Sequence, residues 1–143
     1  MGYRKVLVPV SGKYRLKRAV RALEHALQIV REDGEVCFLH CVHDVPQLIT
    51  EEAHKRLILG AAGEAEKLLD RLAERVRNAG IAYCVHIVEG LPVTHIPSFA
   101  ANHGCDVVVM CSDGGDEMVA QQTIGGIAQS VFQYLSVPLF IVH

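Results

Sequence analysis

Val107 to Gln133 reads VVVMCSDGGDEMVAQQTIGGIAQSVFQ. An apolar, β-branched run gives way to a polar loop bracketed by two glycine pairs, and the loop leads into apolar residues at helical spacing. That is the signature of a strand, a turn and a helix, with glycines where backbone could approach a phosphate. The strand, Asp106 to Cys111, is apolar along almost its whole length, as a strand buried on both faces would be. The helix is expected over Thr123 to Leu135 and a last strand over Leu139 to Val142.

The same alternation extends back to the start of the chain. Lys5 to Pro9 predicts a first strand ending in the turn VSGK, where Gly12 is free to take unusual dihedrals. Leu16, Ala19, Val20, Leu23, Leu27 and Val30 form one apolar stripe on a first helix that the segment EDG should end. Glu35 to Val42 is the second strand. Thr50 is positioned to cap a long helix reaching Asn78 and closed by Gly80, and Ile81 to Val88 is the third strand. Because Pro97 would break a helix interior, the next helix is expected to start late, with Thr94 as its N-cap, and to run to about Asn102. The order βαβαβαβαβ implies right-handed crossovers and a parallel α/β sheet with helices on both faces. Ligands are then expected beyond the C-terminal strand ends, where the strand order reverses.

Composition narrows the function classes. The 143 residues, half of them hydrophobic, suit one domain with its own core. A formal charge of −2, from 14 basic and 16 acidic residues, supplies no field to attract nucleic acid or an anionic membrane. No apolar run is long enough to span a bilayer, and MGYRKVLVPV contains no basic-plus-apolar leader, so a cytoplasmic protein is expected. Five cysteines, an odd number set mainly in strand-like runs, read as buried thiols rather than a disulfide framework.

Five segments in register resemble the universal stress protein family: KVLVPVSG, VCFLHCV, EGLP, DVVVMCSDGG and GGIAQSVFQYLSVPLFIV. The resemblance implies a five-stranded parallel sheet in the order 3-2-1-4-5, of the adenine-nucleotide alpha-hydrolase type, and a homodimer formed through the last strand. Leu139, Phe140, Ile141 and Val142 would then pair with their copies and bury Phe140 or Val142. In one subgroup it also implies ATP binding, which assigns Pro9, Ser11, Gly12, Cys41, Cys111, Ser112, Gly114, Gly125, Gly126 and Ile127 to a nucleotide cleft.

That subgroup has the pattern G-x-x-G, nine residues, then G-[S/T], with an aspartate after the first strand. Here Cys111 stands for the first glycine, ten residues separate Gly114 from Gly125, Gly126 replaces the hydroxyl residue, and Ser11 replaces the aspartate. Gly114, Gly125 and Gly126 keep backbone amides available, and Ser11 can still hydrogen-bond a ribose, more weakly than a carboxylate does.

Asp113, Asp116 and Glu117 place three carboxylates where a triphosphate would lie. Two charges ~4 Å apart near a surface interact by roughly 4 kcal/mol, against about 1 kcal/mol per backbone hydrogen bond. The preferred reading is therefore a non-catalytic stress-response or regulatory homodimer with a degenerate cleft, weak or no ATP binding, no required cofactor and a protein partner the sequence does not name. The alternative is an ATP- or AMP-binding regulator in which magnesium, held by Asp113 and Asp116, offsets the acids. The basic residues Lys13 and Arg15 would emerge at the same rim and could pair with Asp113 or Asp116.

Other constellations carry less. VSGKY resembles the SGGxDS loop of ATP pyrophosphatases but lacks its second glycine, aspartate and final serine, which leaves an adenylating enzyme as the third reading. His40, Cys41 and His43, with Cys37, Cys84 and His86 on neighbouring strands, are zinc-ligand types. His40 and Cys41 point to opposite faces, however, and no CxxC pair is present, so no metal site is expected. Cys111 at a strand end is a candidate redox-sensitive thiol. Gly60 and Gly63 are expected to mark packing or a local break in the long helix.

Overall fold

The computed structural model describes residues 2–10, 16–42, 49–111 and 126–142. Its elements in chain order are β1 (Tyr3–Pro9), α1 (Leu16–Ile29), β2 (Val30–Val42), α2 (Glu51–Asn78), β3 (Ala82–Glu89), α3 (Pro92–Asn102), β4 (Val107–Cys111), α4 (Gly126–Phe132) and β5 (Leu139–Val142). The five strands form one parallel sheet in the order β3-β2-β1-β4-β5, as expected.

The period-two rule sorts each strand between two cores. Val6, Val8, Val36, Phe38, Val107 and Val109 face α1 and α2, where they meet Leu23, Leu69, Leu72 and Val76. Leu7, Cys37, Leu39, Val108 and Met110 face the other way, onto Ile96, Phe99, Ala128 and Val131 of α3 and α4. Helices thus cover both faces, and the central strands β1 and β4 have no solvent side, which is why they carry apolar residues at consecutive positions.

Three local expectations are corrected. Helix α1 ends at Ile29, and Val30 already belongs to β2. The segment EDG does not end the helix but lies inside β2, where pairing with β1 jumps from Tyr3↔Val30 to Lys5↔Glu35. Gly34 is needed there because a Cβ would lie 2.7 Å from the Arg4 carbonyl oxygen. Helix α3 starts earlier than expected: Leu91 is the N-cap, without a side-chain hydrogen bond, and Pro92 occupies the first turn. Proline at that position has no amide to satisfy, so Pro92 is the start signal, and Pro97 sits inside the helix. In α2, Gly60 and Gly63 interrupt nothing and have nothing within 4 Å of a Cβ.

The capping expectation for α2 holds. Thr50 is in extended geometry and its hydroxyl accepts from the Ala53 amide at 3.1 Å. Glu51 and Glu52 in the first turn and Arg75 and Arg77 in the last suit the helix dipole. No helix among the described residues is long and apolar enough to cross a membrane.

Candidate functional site

The strand order reverses between β1 and β4: β1 continues through α1 to β2 on one side, while β4 lies on its other side. The helices that follow these two strands, α1 and α4, pack on opposite faces of the sheet, the arrangement at which a ligand crevice is expected beyond the C-terminal strand ends. Pro9 ends β1, Cys41 is next to last in β2 and Cys111 ends β4, so three of the expected cleft residues stand on neighbouring strands at one rim. The register supports this, with Pro9 opposite Leu39, two residues before Cys41, and Cys111 opposite Val142. Gly126 begins α4, and the half-buried Ile127 packs on the α3–α4 core. Ser11, Gly12, Ser112, Gly114 and Gly125 lie outside the described residues, as do Lys13, Arg15, Asp113, Asp116 and His43.

A buried histidine fixes the exit from β1. His40 is the buried polar side chain of the described core, and its Nδ1 lies 2.7 Å from the Val10 carbonyl oxygen. A carbonyl only accepts, so Nδ1 carries the hydrogen and donates. The Val10 amide in turn donates to the Leu39 carbonyl at 2.8 Å. These two bonds hold Val10 to the end of β2 at the point where the chain leaves for Ser11. The sequence presented His40 only as a zinc-ligand type. The missed signal was that a polar side chain within an apolar strand needs a buried partner, and the nearest unpaired backbone is a neighbouring strand's exit.

The thiols at this rim differ in setting. Burial pushes the Cys41 thiol up to about 11, so it is protonated and apolar in character at neutral pH. Cys111 is half-buried at the end of β4. Further along the rim Glu89, the last residue of β3, accepts from Nε2 of His54 in α2 at 2.8 Å, tying that helix's first turns to the sheet.

At the edge of the sheet, β5 pairs with β4 on one side. Val142 is buried in the α1–α2 core, whereas Phe140 is 43 % exposed and meets Tyr3 edge to face at 6.2 Å. Of the two residues expected at an interface, only Phe140 offers surface.

A five-stranded parallel sheet in this order, with helices on both faces and a reversal of strand order between β1 and β4, defines a doubly wound α/β protein. The chain belongs to the universal stress protein family, whose sequence profile matches residues 2–143. It is 25 % identical over 145 residues to a universal stress protein of Methanocaldococcus jannaschii, covering 98 % of this chain and 82 % of that one. Among solved structures it superposes on the protein MJ0577 with a TM-score of 0.85 at 23 % identity, over 99 % of this chain and 96 % of that one. A universal stress protein solved in complex with cAMP matches with a TM-score of 0.69 at 19 % identity, covering 100 % of this chain and 98 % of the other. One from Archaeoglobus fulgidus in complex with dAMP matches with a TM-score of 0.69 at 18 % identity, over 100 % of both chains.

Proposed function

We propose that this chain is a non-catalytic, nucleotide-responsive stress module that works as a homodimer, and that its cleft takes an adenine nucleotide with one phosphate in preference to metal-free ATP. The observation that carries the reading is the convergence of Pro9, Cys41 and Cys111 on neighbouring strand ends at the reversal of strand order, with Val10 anchored by His40. Relatives with the same fold hold cAMP and dAMP, each with a single phosphate. The acidic sequence Asp113 to Glu117 supports discrimination by charge, because each added phosphate must approach the same carboxylates. Magnesium relieves that repulsion and makes ATP an acceptable ligand.

Calorimetric titration with AMP, and with ATP with and without magnesium, tests the reading. AMP should bind, and ATP should bind measurably only when magnesium is present. Tighter binding of metal-free ATP than of AMP would remove the charge argument. Dimerisation is placed at the outer edge of β5 and tested by Phe140→Glu, which sets like charges near a two-fold axis. Sedimentation should show the variant as monomer, and an unchanged dimer would place the interface elsewhere.

A further inference from the structure

At the opposite end of the sheet from the nucleotide rim, four side chains from three parts of the chain converge. Glu35 and Cys37 lie two residues apart on β2 and so face the same side, toward α3. The parallel register sets Cys37 opposite Cys84 of β3. One carboxylate oxygen of Glu35 and the sulfurs of Cys37 and Cys84 all lie within 4.8 Å of one another. The Cys37 thiol donates to Glu35 at 3.1 Å. Cys84 lies close enough to interact with both Glu35 and Cys37, and Cys105, from the turn between α3 and β4, interacts with Cys37. Cys37 and Cys105 are buried, while Glu35 and Cys84 are half-buried, so the group has an inner wall and an opening to solvent.

We propose that this group is a binding site for zinc(II), with Cys37, Cys84 and Glu35 as ligands and Cys105 as the fourth. The chemistry suits a borderline-soft d10 ion, since thiolates select it over magnesium or calcium and a carboxylate completes the set. Tetrahedral zinc with bonds of ~2.3 Å to sulfur places its ligand atoms about 3.7 Å apart. The first three ligands therefore need shifts of roughly 1 Å at most, inward for the widest pair and slightly outward for Cys37 and Glu35, and Cys105 must turn toward them. Each thiol engaged releases one proton to solvent, and Lys5 stands near Glu35 to offset the added negative charge. The fold supplies the convergence through strand register alone, which is why no CxxC spacing announces the site. It is independent of the nucleotide reading and stands or falls separately.

The test is a zinc titration of the reduced full-length chain against a chromophoric chelator, with cobalt(II) as spectroscopic probe. The expected result is one zinc per chain, a sulfur-to-cobalt charge-transfer band, and affinity that rises with pH. Cys37→Ser and Cys84→Ser should each weaken zinc by about tenfold or more and diminish the band, and Glu35→Gln should weaken zinc with the band kept. His25→Gln, on the exposed face of α1, should change nothing. Circular dichroism checks folding, and the half-buried Cys84→Ser decides the question if the buried Cys37→Ser unfolds. Absence of zinc binding, or equal affinity in Cys84→Ser, overturns the proposal.

Discussion

Replacing His40 by phenylalanine keeps a ring in its buried position and removes the donor to Val10. Val10 is 4 % exposed, so water cannot take over the bond, and an orphaned buried carbonyl costs about 1–3 kcal/mol. For a domain of this size that is a fall in Tm of roughly 3–10 °C. His40→Asn, whose amide nitrogen can stand near the place of Nδ1, should recover part of the loss despite its smaller volume, because it restores a donor. Since Val10 leads directly to Ser11 in the sequence, His40→Phe should also weaken AMP in calorimetry by more than the His40→Asn variant does. Thermal unfolding followed by circular dichroism reads the first effect. A phenylalanine variant as stable as the parent, with unchanged AMP affinity, would refute the anchoring role of His40.

The remaining predictions concern the helices and one thiol. Thr50→Ala removes the cap of α2 and should lower stability by about 1 kcal/mol in urea titration; no change would mean that another group satisfies the Ala53 amide. Gly60→Ala and Gly63→Ala meet no atom within 4 Å and remove helix-interior glycines, so each should raise stability by roughly 0.5–1 kcal/mol, and destabilisation would point to an unrecognised contact on that face. Cys41 has its thiol raised from 9.0 to about 11 by burial, which stabilises the fold below the unfolded value. That contribution is lost as pH climbs from about 9 through 11, by an amount on the order of 2–3 kcal/mol. Cys41→Ala should show a shallower alkaline loss of stability than the parent chain, and parallel pH profiles would contradict the assignment.

Much of the architecture is legible in the sequence because it rests on two periodicities. Consecutive apolar residues in VLV and VVVM require strands with two covered faces, and the intervening three- and four-residue spacing requires helices, so the parallel sheet follows from connection rules. Ambiguity arises where one residue type carries two messages. Pro97 resembles a helix start, but Pro92 is the start, and the helix accommodates the second proline because packing of Ile96 and Phe99 on the sheet outweighs one missing bond. EDG resembles a helix stop and is instead a strand irregularity, set by the approach of β1 to Gly34.

The site is less legible than the fold. Strand ends predict where Pro9, Cys41 and Cys111 gather, because the topology alone places them. Partnerships such as His40 with Val10, or Cys37 with Cys84, depend on register between strands that are distant in sequence. No local spacing encodes that register, and a one-residue slip would turn every one of these side chains to the other face.

The proposed position of the nucleotide is the C-terminal rim of β1, β2 and β4. Amide chemical shifts recorded while AMP is added to the labelled protein test it most directly. Changes are expected to concentrate at Val10, Cys41, Val42, Cys111, Gly126 and Ile127, with residues near Glu35 and Cys105 unmoved. Saturable changes gathered at the N-terminal strand ends, with that rim silent, would contradict it.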